Sequence, residues 1–263
     1  MSDSVWTATV ADSALIATAI HDGHALRRDV AALMALAESD RLREEDPYTA
    51  AWTEVAPTHV VALRSRFEVD LNRPREKAVY RKPEDAWGLR IWKEAPGHAH
   101  VEQSLAEYDA FYRELRSIFR AAEERHGAFV VFDIHTYNHR RNGPGGEPES
   151  PESNPEVNVG TGTMVRERWA PLVDGFIDDL GGFDFAGRHL DVRENVRFRG
   201  GWMSQWTHEN FPNTGCVLAI EFRKFFMNEW TGELYTREHQ LILEALRSTV
   251  PGVLGRAKTL AGS

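Results

Sequence analysis

Three short stretches of this chain drive apolar residues into a reactive side chain. Residues 129–141 read FVVFDIHTYNHRR: an apolar run ends on His135, and hydroxyls, an amide and two arginines follow. Residues 15–24 read LIATAIHDGH, where His21 closes a second apolar run. Residues 217–224 read VLAIEFRK and hold Glu221 inside a third. Open α/β sheets bind ligands at the carboxyl ends of their strands. Two imidazoles meeting at such an edge, with one carboxylate, make a three-ligand zinc site that leaves a position open for water. Of the 11 histidines, His98, His100, His126, His189 and His239 fall in polar contexts and read as solvated.

Glu221 poses a sharper question, because an unpaired carboxylate in an apolar strand is costly or shifts its pKa upward. Alternation puts Arg223 on the same face, so a buried ion pair is one answer. A general base beside an activated water is the other. Residues 65–73, SRFEVDLNR, bring Asp70 and Asn72 to one side of an extended run with Arg73 at its exit. A guanidinium can take a carboxylate by two parallel hydrogen bonds and a neighbouring amide can add a third. Alternatively, Asp70 and Arg73 satisfy each other in a turn.

The elements that must position these groups follow from periodicity. Residues 15–20 read as a buried strand and residues 25–39 as a helix with Leu26, Val30, Leu33 and Leu36 on one stripe. Residues 59–63 and 67–71 read as strands. The 3-and-4 spacing of Val101, Leu105, Tyr108, Phe111, Leu115, Ile118 and Ala122 predicts a helix over 101–126, which Gly127 stops. Strands are expected at 128–135, 195–199 and 216–224, and helices around 165–180 and 236–248. Between residues 141 and 162 a Gly-, Pro-, Glu- and Ser-rich segment reads as a long loop, either a passive excursion or a lid over His135. With no repeat and no strong linker, the expectation is one α/β domain over residues 1–263, a central mixed β-sheet flanked by helices.

Composition sets limits on function. The chain has 263 residues, 42% hydrophobic and 27% charged, enough for a proper core. Its net charge of −9 argues against general nucleic-acid binding, which needs a basic footprint. No apolar run is long enough to span a bilayer. The acidic start and the single cysteine, Cys216, lead to the expectation of a cytoplasmic protein without a disulfide framework or a cysteine-based zinc cluster. Arginines gather at 64, 66, 73 and 75 and again at 193, 197 and 199. Screening over ~8 Å lets a cleft feel these walls rather than the acidic remainder, so an anionic substrate is compatible with the charge. The oligomeric state stays open.

The ordered series HDG, EEDPY, SRFEVDLNR, DIHTYN, NVRFRGG and AIEFRKFFMNE, spanning residues 21 to about 229, resembles the N-formylglutamate amidohydrolase family. SRFEVDLNR is its most specific piece. The family is similar in fold to the zinc carboxypeptidases, whose late zinc ligand and general base His135-Thr136-Tyr137 and Glu221-Phe222-Arg223 resemble. The resemblance implies a zinc-dependent amidohydrolase of zinc-peptidase-like architecture that cleaves an N-formyl or N-acyl amino acid, or a similar small anionic amide. It implies zinc ligands His21, Asp46 and His135, with Glu45 or His24 competing for the third place. It also implies Glu221 as the base that activates water. Asn72 and Arg73 would hold a substrate carboxylate, and Arg197 and Tyr137 would complete the substrate site. This chain has Ile-His-Asp-Gly-His where the family usually has Pro-His-Ser-Gly. Other readings are a peptidase or deacylase acting on a larger conjugate, and a catalytically silent anion-binding protein.

Overall fold

A computed structural model describes residues 4–262. Its frame is a seven-stranded mixed sheet in the order β1-β3-β2-β4-β7-β5-β6. The strands are β1 (Trp6–Thr9), β2 (Leu15–Ala19), β3 (Thr58–Ala62), β4 (Phe129–Tyr137), β5 (Val157–Gly160), β6 (Val192–Glu194) and β7 (Gly215–Arg223). The central strands β3, β2, β4 and β7 run parallel, whereas β1 and β5 pair antiparallel to β3 and β7. Parallel strands covered on both faces need near-continuous apolar runs, and β2, β4 and most of β7 are buried accordingly.

The helices are α1 (Arg28–Leu33), α2 (Glu38–Glu44), α3 (Thr49–Trp52), α4 (His98–His126), α5 (Arg166–Gly182), α6 (Trp202–Asn210) and α7 (Thr236–Ala261). One sheet face, with Leu15, Phe132, Leu218 and Ile220, packs on Trp169 and Phe176 of α5 and Ile242 and Leu246 of α7. The other, with Ile16, Val131 and Val217, packs on Phe111, Leu115 and Phe119 of α4 and on Met203 and Trp206 of α6. A smaller apolar cluster of Val30, Met34, Phe67, Tyr80, Ile91 and Trp92 ties the segment after β2 to the segment after β3. Among the described residues, no helix is long and apolar enough to cross a membrane.

Several expected elements change. Residues 67–71 form a turn, in which the Glu68 N–H donates to the Ser65 carbonyl and the Asp70 N–H to that of Ala78. Their alternation reflects a segment buried on all sides: Glu68 and Asp70 are as hidden as Phe67 and Val69. The helix expected at 25–39 shrinks to α1, because Ala35 and Leu36 donate to the Ile91 carbonyl instead of continuing it. The strand expected at 195–199 lies upstream as β6, and Asn195, at φ 54°, ends it. The segment 141–162 contains β5, α7 runs past Ser248, and β1 and α6 carry no strong signal in the sequence.

Candidate active site

The sheet delivers two groups side by side. His135 of β4 and Glu221 of β7 are register partners across the parallel pair. Alternation turns both away from α5 and α7, with Asp133 two residues below His135 on the same face. His21 follows β2 directly. Gly23, two residues on, passes so close to Leu63 and Arg64 that any side chain there would meet their main chain, and this approach holds the turn against the end of β3. The Asp46 N–H donates to the His21 carbonyl at 3.0 Å, which brings a carboxylate from the end of α2 to the imidazole.

These three residues converge. Asp46 Oδ2 lies 2.9 Å from His135 Nδ1 and 3.4 Å from His21 Nδ1, with all three buried. One ligand atom from each lies within 4.8 Å of the others, so the group could hold a metal ion. The remaining ring nitrogens are occupied by carboxylates: His21 Nε2 is 2.7 Å from Asp70 Oδ1 and His135 Nε2 is 3.1 Å from Asp133 Oδ1. Metal-bound histidines are oriented by partners of this kind. Asp133 also accepts from Thr18 Oγ1 at 2.9 Å, while Asp70 accepts from the Tyr80 hydroxyl and from Arg66 at 2.9 Å. Two imidazoles and one carboxylate suit a borderline-soft cation and leave a coordination position free.

The electrostatics agree with a cationic occupant. Burial disfavours a charge on Asp46, yet the two histidines outweigh it and hold its pKa well below the usual carboxylate range. Burial likewise opposes protonation of His135, but Asp133 and Asp46 hold it well above the ordinary imidazole value. A proton there balances the carboxylates, as a bound cation would.

Glu45 and His24 are drawn elsewhere. His24 Nδ1 meets Glu45 Oε2 at 2.5 Å, and Glu45 also accepts from Ser65 Oγ and lies 3.5 Å from Arg41. The chain leading to Asp46 is pinned by Lys224, whose Nζ donates to the carbonyls of Arg43 and Glu45 at 2.6 and 2.8 Å, and by the Asn138 amide. Burial lowers Lys224 to about 8.

Glu221 makes no hydrogen bond or ion pair among the described residues. Arg223, its expected partner, lies 3.7 Å from Glu156 and donates to the Asn154 carbonyl. Desolvation pushes Glu221 up to about 8, against the pull of His135. It faces a cavity of about 330 Å³ shared with His21, Asp46, Asn72, His135 and Tyr137.

Arg66, Arg141, Arg197 and Arg199 also line this cavity, whereas Arg73 does not. The Arg73 guanidinium lies over the Tyr80 ring and 3.4 Å from the Asp85 carbonyl. The Asn72 amide sits 3.4 Å from His135 Nε2 and accepts from the Met203 N–H, and Gly201 passes where a side chain would strike it. Arg197 stacks over Tyr137 and Phe198 and donates to Glu149 at 3.0 Å and to Asn154. The Tyr137 hydroxyl donates to the Pro155 carbonyl, so this residue offers the cavity its ring. The segment from 149 to 155 is therefore tied to the cavity wall. Arg199 makes no side-chain hydrogen bond or ion pair among the described residues. Asp133 could have been found from alternation with His135; Arg66 and Arg199 belong to the two arginine groups seen in the sequence, and Trp87 arrives on a loop and carried no comparable signal.

A sequence model of the N-formylglutamate amidohydrolase family matches residues 13–227. The chain belongs to that family. Its members are hydrolases acting on an amide bond, and the matched span runs from β2 to just beyond β7, enclosing every cavity residue named above. No curated protein matches the sequence. The fold is similar to that of N-formylglutamate amidohydrolase from Ralstonia eutropha JMP134, with a TM-score of 0.71 at 19% identity over 98% of this chain and 97% of that one. It is also similar to a gene product of Agrobacterium tumefaciens, with a TM-score of 0.65 at 18% identity over 95% of this chain and 96% of the other.

Proposed function

We propose that this amidohydrolase cleaves a small N-acyl amino acid, with a divalent cation, zinc by the character of its donors, held by His21, Asp46 and His135. Bound there, such an ion supplies Lewis acidity, polarising the scissile carbonyl and lowering the pKa of water from ~16 toward ~7. The observation that carries the reading is Glu221, a carboxylate with no hydrogen bond or ion pair among the described residues, at the wall of the cavity those three residues share. A carboxyl near neutrality can take a proton from water and return it to the leaving nitrogen, since acid–base work is most efficient when the pKa lies near the operating pH. Asp70 and Asp133 hold the two imidazoles in one tautomer and orientation. Arg199 meets the substrate carboxylate, with Arg197 and the Asn72 amide lining the same space; this is the role that position first suggests for Arg73, whose guanidinium lies outside the cavity. Tyr137 supplies an apolar wall.

The test is metal analysis and acid release on one preparation made without a histidine tag. About one zinc per chain is expected, together with hydrolysis of N-formyl or N-acetyl amino acids. Chelation should abolish turnover and returned zinc should restore it. Fully metal-loaded protein that hydrolyses no N-acyl amino acid would sink the reading.

A further inference from the structure

Trp87 stands at the mouth of the candidate active-site cavity in a left-handed capping conformation, in which its own N–H and that of Gly88 donate to the Pro83 carbonyl. It closes a short 3₁₀ turn, Pro83–Ala86, with φ 56° and ψ 24°, in the left-handed region. Gly88 follows at φ 90°. A left-handed residue at such a helix end is ordinarily glycine or asparagine, because a β-carbon is penalised there. The indole is 54% exposed, so burial does not account for the choice either. Strain and an exposed aromatic surface at one residue of a cavity lining are the pattern expected of a group waiting for a ligand.

Its surroundings say what kind. The Arg66 guanidinium lies 5.0 Å from the centre of the indole, and the Tyr80 ring stands edge-on at 6.4 Å. These contacts fix one side of the indole and leave the remainder to the cavity that it lines with His21, Glu221 and Arg199. Arg66 also donates to Asp70, the carboxylate that orients His21. A flat group resting on Trp87 would occupy the same cavity as Glu221 and His21.

We infer that Trp87 is a specificity-determining residue and that the preferred substrate carries an aromatic ring, which packs on the indole while its carboxylate meets the cavity arginines. This rests on the amidohydrolase reading above. The ring can belong to the amino-acid side chain or to the acyl group, since both flank the scissile bond.

Two substrate sets separate these sources: N-formyl-L-phenylalanine against N-formyl-L-alanine and N-formyl-L-glutamate, and N-benzoylglycine against N-acetylglycine. Kd values are measured by calorimetry on zinc-loaded Glu221→Gln protein, and kcat/KM on the native enzyme. The aromatic member of one set should bind ~3- to 10-fold tighter, the range that an aromatic pair contributes beyond area burial. Trp87→Ala should bring that ratio close to one, and Trp87→Phe should keep most of it. An unchanged ratio in Trp87→Ala, or no aromatic preference in either set, overturns the inference. Hydrolysis without aromatic preference removes the role of Trp87 and leaves the amidohydrolase reading standing. Aromatic-selective binding without any hydrolysis keeps the role of Trp87 and removes that reading.

Discussion

Burial pushes both Glu68 and Glu221 above the ordinary carboxylate range, to about 7 and about 8, yet the two live in opposite surroundings. Glu68 is enclosed by charge. It accepts from the Arg27 N–H at 2.8 Å, and it lies 3.2 Å from the Arg27 guanidinium and 3.6 Å from that of Arg64, both of which also reach Glu107 of α4. Glu221 makes no hydrogen bond or ion pair among the described residues, feels His135 only through space, and opens to the cavity. A raised carboxyl pKa is common to structural networks and active sites. What separates the two is whether guanidinium groups and a main-chain donor already surround the carboxylate. Glu68 fastens α4 to the segment after β3; Glu221 is left over, beside three residues that could hold a metal ion, and is the one to suspect of chemistry.

The widest gap between the two should appear in turnover. Glu221→Gln should lower kcat by ~10²–10⁴, the usual contribution of a positioned base, while metal content and thermal stability hold. Glu68→Gln should leave kcat within a few-fold. Equal losses in the two variants would erase the distinction.

A smaller effect belongs to Asp133, which has its own partners but serves the site through His135. Asp133→Asn keeps the shape and weakens the hold on the imidazole. A loss of 10- to 100-fold in metal affinity is expected, the usual effect of changing such an outer partner. Competition with a chelator of known affinity reads it. Unchanged affinity would mean that Asp133 only secures Thr18.

The smallest effect is in the pH dependence of stability. Glu68 has its folded pKa raised to about 7 from 4.5, so the folded state binds more protons than the unfolded between those values and stability falls as pH rises. His208 is the mirror case. Burial lowers it to about 4 from 6.5, its Nε2 accepts the Val217 N–H, and its Nδ1 pairs with Thr163 Oγ1. Here the unfolded state binds more protons in the window, so stability is lost as pH falls from 6.5 toward 4. Each slope is at most ~1.4 kcal/mol per pH unit, and the two oppose one another where the windows overlap. Denaturant titrations should show native stability gaining on His208→Gln as pH rises from 4.5 to 6.5, and losing ground to Glu68→Gln over the same range. Parallel curves would show that neither group is shifted.

The sheet-borne half of the site was the legible half. The apolar runs ending at His21 and His135, and the run around Glu221, mark strand ends, and strand periodicity is a local property. The pairing of β4 with β7 makes neighbours of the last two. The loop-borne half follows from contacts between distant segments. Residues 67–71 alternate like a strand but fold as a buried turn, which carries Arg73 out of the cavity and Arg66 into it. Trp87 reaches the mouth only because the segment around Tyr80 and Trp92 packs on α1. That Asp46, and not Glu45 or His24, stands beside His21 and His135 follows from the main-chain bond from Asp46 to His21 and the capture of Glu45 by His24 and Ser65.

Arg197 already has a carboxylate, that of Glu149, from a segment with no part in the sheet. A tethered acid behaves as a competitor present at millimolar effective concentration, so an incoming anion gains only the difference between its own pairing and that of Glu149. The charge preference of the cavity can thus be retuned at position 149, about 70 residues from Glu221 and without disturbing a single strand.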